Sequence, residues 1–273
     1  MESPQGESFF FGLFTLFFVA PVISSTLPFN EGVAVSALLS GFIGILLIFF
    51  SLSFGNDSDL SQELASIRYD PTGESALQTG ISEARETIDA QIETLNDIDT
   101  KAIRVLRVNV LLVGLFISAL TFSTRTNSLN LDAFINIYLG NGILLLILST
   151  VSAGLTYTAS NFKPGIGKQN IITTLEEDLN KEELDRVLIK SYAKWINDNN
   201  STQTLNAFYS TSMLLFLIYA LTYLALGTYS ALIDDVPLFL NIIAMLALFA
   251  ITLASGYLSQ IKEVGRQLER DIG

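Results

Sequence analysis

The sequence contains neither cysteine nor histidine. The lack of cysteine excludes disulfides and thiol nucleophiles, and the two absences together exclude zinc sites built from these side chains. Without histidine there is also no Ser-His-Asp triad and no imidazole proton relay. We therefore expect a non-enzymatic protein with no cofactor and no metal site.

Charge is also scarce, since 15% of the residues are charged and 50% are hydrophobic. This is too apolar for an ordinary soluble domain, and the apolar stretches have the length of membrane spans. The sequence predicts an all-α integral membrane protein whose main partner is the lipid bilayer. The net charge of -12 argues against nucleic acid as a partner, because phosphate binding needs clustered Lys and Arg.

Six uncharged stretches predict about six transmembrane helices, at residues 9–27, 33–54, 108–122, 134–159, 207–229 and 238–258. Pro21 should kink the first, and the third is short unless Arg107 snorkels to the membrane surface. The residues before the first stretch contain Glu2 and Glu7 but no basic residue. They lack the positive segment of a secretory signal, so we expect the stretch to stay as a helix.

The basic residues predict the orientation of these spans. All of the 15 Lys and Arg except Arg125 lie in residues 55–107, 160–206 or 259–273. The positive-inside rule places these segments in the cytoplasm, with both termini inside a cell membrane.

An internal duplication is visible at an offset of about 101 residues. Arg85 matches Arg186, and after a one-residue shift Asn141 matches Asn241. We expect a hairpin at 1–55 followed by two parallel repeats, 56–165 and 166–273, each a cytoplasmic helix plus two spans.

Both cytoplasmic segments are predicted to be amphipathic helices. The first helix is expected to continue unbroken into the third span. The second has capping-box patterns at Thr173 with Glu176 and at Asn180 with Glu183, followed by an apolar face. This face has three possible uses, which are binding a partner helix, lying on the inner leaflet, or packing on the first cytoplasmic helix. The apolar residues are Ile81, Ala84, Ile88, Ile92, Leu95, Ile98, Ala102 and Leu106 in the first helix, and Leu184, Val187, Leu188, Tyr192, Trp195 and Ile196 in the second.

No charged residue lies deep in a predicted span, which disfavours proton-driven transport. Polar side chains instead form stripes on the last three spans. They either line a wet path or bond neighbouring helices. The path candidates are Asn141, Ser152, Thr156, Tyr219, Thr222, Asn241, Thr252 and Ser255.

Small residues spaced four apart in the second span, Ala37 with Gly41 and Ser40 with Gly44, allow close helix packing within the chain or in a homo-oligomer. Two other short patterns are interpreted as incidental. The sequence from Gly165 to Lys168 is expected to be a turn rather than a phosphate loop. The glycosylation pattern beginning at Asn199 lies in a segment predicted to be cytoplasmic.

Residues 95–109 lead directly into a predicted span and contain the element Asp99-Thr100-Lys101-Ala102. This run resembles the approach to the membrane in two-span effectors of Pycsar-type antiviral signalling, which implies a membrane-perturbing activity. With a pI near 4.4, which suits solubility in concentrated salt, the whole chain resembles uncharacterised multi-pass proteins of halophilic archaea. That second resemblance implies a class of protein and no activity.

Three functions follow as hypotheses. The first is an oligomeric pore-like or membrane-perturbing effector controlled by the cytoplasmic helices. The second is a membrane scaffold or signalling adaptor, and the third is a facilitator for a small neutral solute.

Overall fold

The computed structural model describes residues 74–126, 134, 136–158, 162–167, 172, 180–233 and 235–272. These residues form five helices and no strand. The helices are α1 (Glu74–Thr126), α2 (Ile137–Thr158), α3 (Lys181–Leu232), α4 (Leu238–Ala254) and α5 (Tyr257–Ile272). The predicted spans at 9–27 and 33–54, and the small residues Ala37, Ser40, Gly41 and Gly44, lie outside the described residues.

α1 and α3 are long and uninterrupted, with 53 and 52 residues. At the rise of an α-helix each is about 80 Å long, more than twice the ~30 Å of bilayer hydrocarbon. The expectation that the first amphipathic helix continues into the third span is confirmed. We call residues 76–107 of α1 and 181–206 of α3 the polar halves, and residues 108–126 and 207–232 the apolar halves.

Three of the described helices, α1, α2 and α3, are long and apolar enough to cross a membrane. α4 and α5 pass the same criterion only together, as a pair bent by 53°. The described part of the chain is therefore all-helical, and its apolar helices indicate a membrane-associated protein.

The sixth predicted span is not one straight helix. α4 ends at Ala254, Ser255 caps it, and Gly256 has a φ of 70°. This left-handed conformation is strained for residues with a Cβ, so glycine permits the break between α4 and α5.

α3 begins at the second of the two predicted capping boxes, and the first, at Thr173 with Glu176, lies outside the described residues. The Asn180 side chain accepts a hydrogen bond from the Glu183 backbone N–H at 3.0 Å, and the Glu183 carboxylate accepts one from the Asn180 N–H at 3.0 Å. Two amides that have no partner within the helix are thereby satisfied. This prediction is confirmed.

α3 is the centre of the described part of the fold, because it packs against each of the other four helices. α1 runs parallel to it, so that Arg85 meets Tyr192 near one end and Ala102 packs with Met213 further along. α2 returns antiparallel to α3, and the α4–α5 pair does the same on another side, where Tyr257 stacks on Phe208. A three-helix core with an added arm, the bent α4–α5 pair, results.

α2 and α3 approach closely at two glycines. A Cβ at Gly142 of α2 would lie 3.0 Å from the backbone nitrogen of Leu224 in α3, and a Cβ at Gly227 of α3 would lie 2.7 Å from that of Leu139 in α2. Each helix thus places a leucine over the other's glycine, with the same three-residue spacing on both. Such small-residue contacts provide van der Waals attraction between helices in lipid.

We predict that Gly142→Ala and Gly227→Ala destabilise the fold, because overpacking costs about 1–3 kcal/mol and outweighs the ~0.5–1 kcal/mol that alanine gains in a helix. Thermal unfolding in detergent, followed by circular dichroism, measures the effect.

The matched control is Gly140→Ala, since a Cβ at Gly140 of α2 has no neighbour within 4 Å. It should be neutral or slightly stabilising. Equal unfolding temperatures for Gly140→Ala and Gly142→Ala would contradict the close α2–α3 contact.

Candidate functional site

A buried hydrogen-bond chain joins α1, α2 and α3. The Asn109 amide Nδ2 of α1 donates to Ser149 Oγ of α2 at 2.9 Å, and Ser149 Oγ donates to the Met213 carbonyl of α3 at 2.8 Å. Asn109 is 1% exposed and Ser149 is fully buried. We call these groups the three-helix node. Bonds of this kind between helices in lipid contribute about 0.6–1.7 kcal/mol each.

Asn109 was not among the predicted path residues, although it ends the run 95–109. Its position as the first polar residue after Arg107 was the available signal. The sequence did not show which face of α1 would be buried at that depth.

A second group of polar contacts joins α3 to the α4–α5 pair. Tyr219 OH lies 2.7 Å from Thr252 Oγ1, and Ser212 Oγ lies 3.1 Å from Tyr257 OH. Both pairs are buried and both cross from α3 to the returning arm. Tyr219 and Thr252, predicted as path residues, are thus bonded to each other between helices.

A third group lies where α2 and α4 begin. Asn241 Nδ2 donates to Tyr138 OH at 2.9 Å, and Asn136 caps α2 while its Nδ2 donates to the Gly227 carbonyl at 3.0 Å. Asn241, Tyr138 and Thr222 line a cavity of about 20 Å³. That volume holds about one water molecule.

The remaining path candidates differ in their contacts. Thr156 is fully buried and donates to the Ser152 carbonyl of its own helix, and Ser255 donates to the Thr252 carbonyl at the α4–α5 break. Asn141 is 4% exposed, and neither of its amide atoms has a hydrogen-bond partner among the described residues. The structure thus brings Tyr219 to Thr252, and Thr222 to Asn241, but does not join Asn141 to either pair.

The polar halves of α1 and α3 pack on each other. Ile81 and Ile88 of α1 form one buried cluster with Tyr192 and Trp195 of α3, together with the partly buried Phe162. Of the three uses left open for the apolar face of α3, the structure shows packing on the first amphipathic helix. Two residues of the predicted apolar faces are not covered by the partner helix, because Val187 is half exposed and Leu106 is 36% exposed.

Cross-helix hydrogen bonds reinforce this contact. Arg85 Nε donates to Tyr192 OH at 2.9 Å, and Gln203 Nε2 donates to the Gln91 carbonyl at 2.9 Å. Gln91 Nε2 in turn donates to the Ile196 carbonyl at 3.1 Å. The parallel pair is therefore held along several turns and not at one point.

The Asn199 side chain holds the segment between α2 and α3 against α3 through two hydrogen bonds. Its side chain accepts from the Lys163 N–H at 3.0 Å and donates to the Lys163 carbonyl at 3.1 Å, while Lys163 Nζ pairs with Asp198. Asn199 is fully buried. The glycosylation pattern at this residue thus coincides with a structural contact. Gly165, with a φ of 134°, lies in the non-helical segment that was expected to be a turn.

The described residues contain no group of three or more acidic side chains placed to hold a metal ion. Comparisons with known proteins found no matching family model, no matching curated protein and no matching solved structure. What the described residues define is a class, a helical membrane-associated protein with polar contacts at helix interfaces.

We predict that Asn109 and Ser149 are energetically coupled. In a double-mutant cycle of Asn109→Ala and Ser149→Ala, the coupling should be about 0.6–1.7 kcal/mol, measured by reversible unfolding in mixed detergent micelles.

Ser118→Ala is the control, because the exposed Ser118 hydroxyl bonds only the Gly114 carbonyl of its own helix. Combined with Asn109→Ala it should be additive. Additivity of Asn109→Ala with Ser149→Ala would show that the three-helix node contributes nothing.

Proposed function

We propose that this chain is a non-enzymatic membrane scaffold or signalling adaptor that couples a bundle of helices outside the membrane to helices within it. The observation that carries the proposal is the continuity of α1 and α3, each about 80 Å long. Because the two are parallel and pack on each other along the polar half of α1 as far as Ala102 and Val105, a displacement of the polar halves is transmitted to the apolar halves through the two unbroken helices. The polar halves are then the surface available to other components.

The arrangement of polar contacts supports the scaffold or adaptor rather than a pore or a facilitator. Tyr219, Thr252 and Asn241 bond other helices, and the cavity beside Asn241 accommodates about one water molecule. This cavity is too small to serve as the site of a facilitator for a small neutral solute, which would need more room than a single water.

We further propose six spans in a cell membrane, with the polar halves and both termini in the cytoplasm. The positive-inside rule supports this orientation, because it places the basic residues of both polar halves on one side. The acidic composition supports a halophilic archaeal source.

The chain has no native cysteine, so single cysteines report the topology. We predict that an impermeant thiol reagent applied to intact cells labels Asp235→Cys but not Thr87→Cys or Asn200→Cys. All three positions are exposed, whereas the neighbouring Asn199 is buried and unsuitable. Permeabilised cells provide the control in which all three label, and outside labelling at Thr87→Cys would overturn the orientation.

We also propose that the internal duplication of residues 56–165 and 166–273 is real. Its support is that α1 and α3 differ by one residue in length, run parallel and are each followed by a returning helical arm. A two-span unit copied in the same orientation would place its long helices in this way.

The second candidate is an oligomeric pore-like or membrane-perturbing effector. Asn141 favours it, because a buried amide with no partner among the described residues is costly in a dry interior and stable beside water. The resemblance of Asp99-Thr100-Lys101-Ala102 to Pycsar-type effectors supports the same candidate. In this candidate the path forms between copies of the chain.

We predict that liposomes containing the purified protein retain both a small fluorescent dye and monovalent ions. Protein-free liposomes and liposomes with a known channel are the controls. Sustained leakage would overturn the adaptor in favour of the pore. A change in that leakage on Asn141→Leu but not on Ser118→Ala would then locate the path at the α2 stripe.

A further inference from the structure

The outer face of α1 changes character within about two turns. Arg104 and Arg107 are exposed on this face, and the exposed side chains that follow are apolar, Leu111 at 66% and Leu115 at 67%. These four residues project in similar directions, because their spacings of three, four and seven keep them on one side of a helix. A face that is charged and then apolar along one line matches a transition from polar headgroups to hydrocarbon.

The distances agree with that transition. Arg104 lies about 10 Å along the helix axis from Leu111, and Arg107 lies about 6 Å from it. Headgroups and interface occupy about 5–8 Å on each side of the hydrocarbon. From Val108 to the end of α1 at Thr126 the helix rises about 28 Å, close to the hydrocarbon thickness. Both guanidinium groups therefore lie at headgroup depth.

Lys101 joins these two residues, one turn earlier and also exposed. None of the three basic side chains forms a salt bridge with a described residue, unlike Lys163, Arg186 and Arg266. In a chain with 27 acidic and 15 basic residues, three successive basic residues with no ionic partner in the described part of the chain form a local excess of positive charge. We call Lys101, Arg104 and Arg107 the basic collar.

The surrounding charges leave the basic collar positive. Asp99 is the nearest carboxylate in sequence, and the other acidic residues of α1 lie further from the apolar half. α2 contains no charged residue, and neither does α3 from Asn199 to its end at Leu232. The more distant acidic residues are Glu83, Glu86, Asp89, Glu93 and Asp97.

We propose that the basic collar binds the phosphate groups of anionic phospholipids in the leaflet facing the polar halves. Arg forms paired hydrogen bonds to phosphate oxygens, and Lys adds a point charge. The aliphatic parts of these side chains cover apolar helix surface while their charged ends reach the headgroups. Bound anionic lipid would fix the depth of α1 and so the height of the polar halves above the membrane. This inference rests on the membrane placement in the proposed function.

The test compares the full chain in nanodiscs of phosphatidylcholine alone and of phosphatidylcholine mixed with phosphatidylglycerol. Native mass spectrometry counts the lipids retained after release. We expect a preference for phosphatidylglycerol that falls about fivefold for each basic residue replaced in the Lys101→Gln, Arg104→Gln, Arg107→Gln series. The preference should also weaken at high salt, since screening reduces the attraction.

The matched control replaces Lys181, Lys190 and Lys194 in the polar half of α3 with Gln, which changes the net charge by the same amount. It should keep the preference. If the triple collar variant fails to fold, Arg104→Gln and the charge-retaining Arg104→Lys provide the comparison, with lipid preference lost in the first and retained in the second.

An unchanged preference in the collar variants, or no preference in the native chain, would overturn the proposal while leaving the scaffold function intact. Failure of the chain to float with liposomes would instead remove both. The two kinds of failure are distinguishable, because flotation is measured first and reports membrane association alone, whereas lipid preference is measured afterwards.

Discussion

The hydrogen-bond chain from Asn109 through Ser149 to the Met213 carbonyl determines how α1, α2 and α3 sit against one another. In hydrocarbon, burying leucine against leucine gains little over burying it against lipid, so helices need polar bonds and close contacts to choose a partner. The reciprocal glycines Gly142 and Gly227 supply the close contact. Together they join α1 and α2 to α3, the helix that every other described helix packs against.

The two halves of the α1–α3 pair are held by different forces. The polar halves are in contact with water on their charged faces, so burial of Ile88, Tyr192 and Trp195 is driven by the hydrophobic effect. The apolar halves rely on the three-helix node. Because both helices continue through the change of environment without a break, neither half can rotate freely with respect to the other. This continuity is the observation that supports the proposed coupling across the membrane boundary.

Much of the fold could be predicted from local pattern. The capping box at Asn180 and the continuous α1 were expected, since both depend on neighbours in sequence. The break at Gly256 was missed because the length and hydropathy of an apolar stretch do not indicate whether the helix that it forms will bend. The half-exposed Val187 was missed for a related reason. A helical face defined by sequence is wider than the strip that a neighbouring helix covers.

The sequence by itself determined the class of this protein, because composition and periodicity depend only on the order of residues. It also indicated which side chains were polar within the apolar stretches. Only the tertiary structure decided what those side chains do. Asn141 and Asn241 occupy matching positions in the proposed duplication, yet Asn241 bonds Tyr138 while Asn141 has no partner among the described residues. A hydrogen bond needs a particular neighbour at about 3 Å, and helix packing sets that distance.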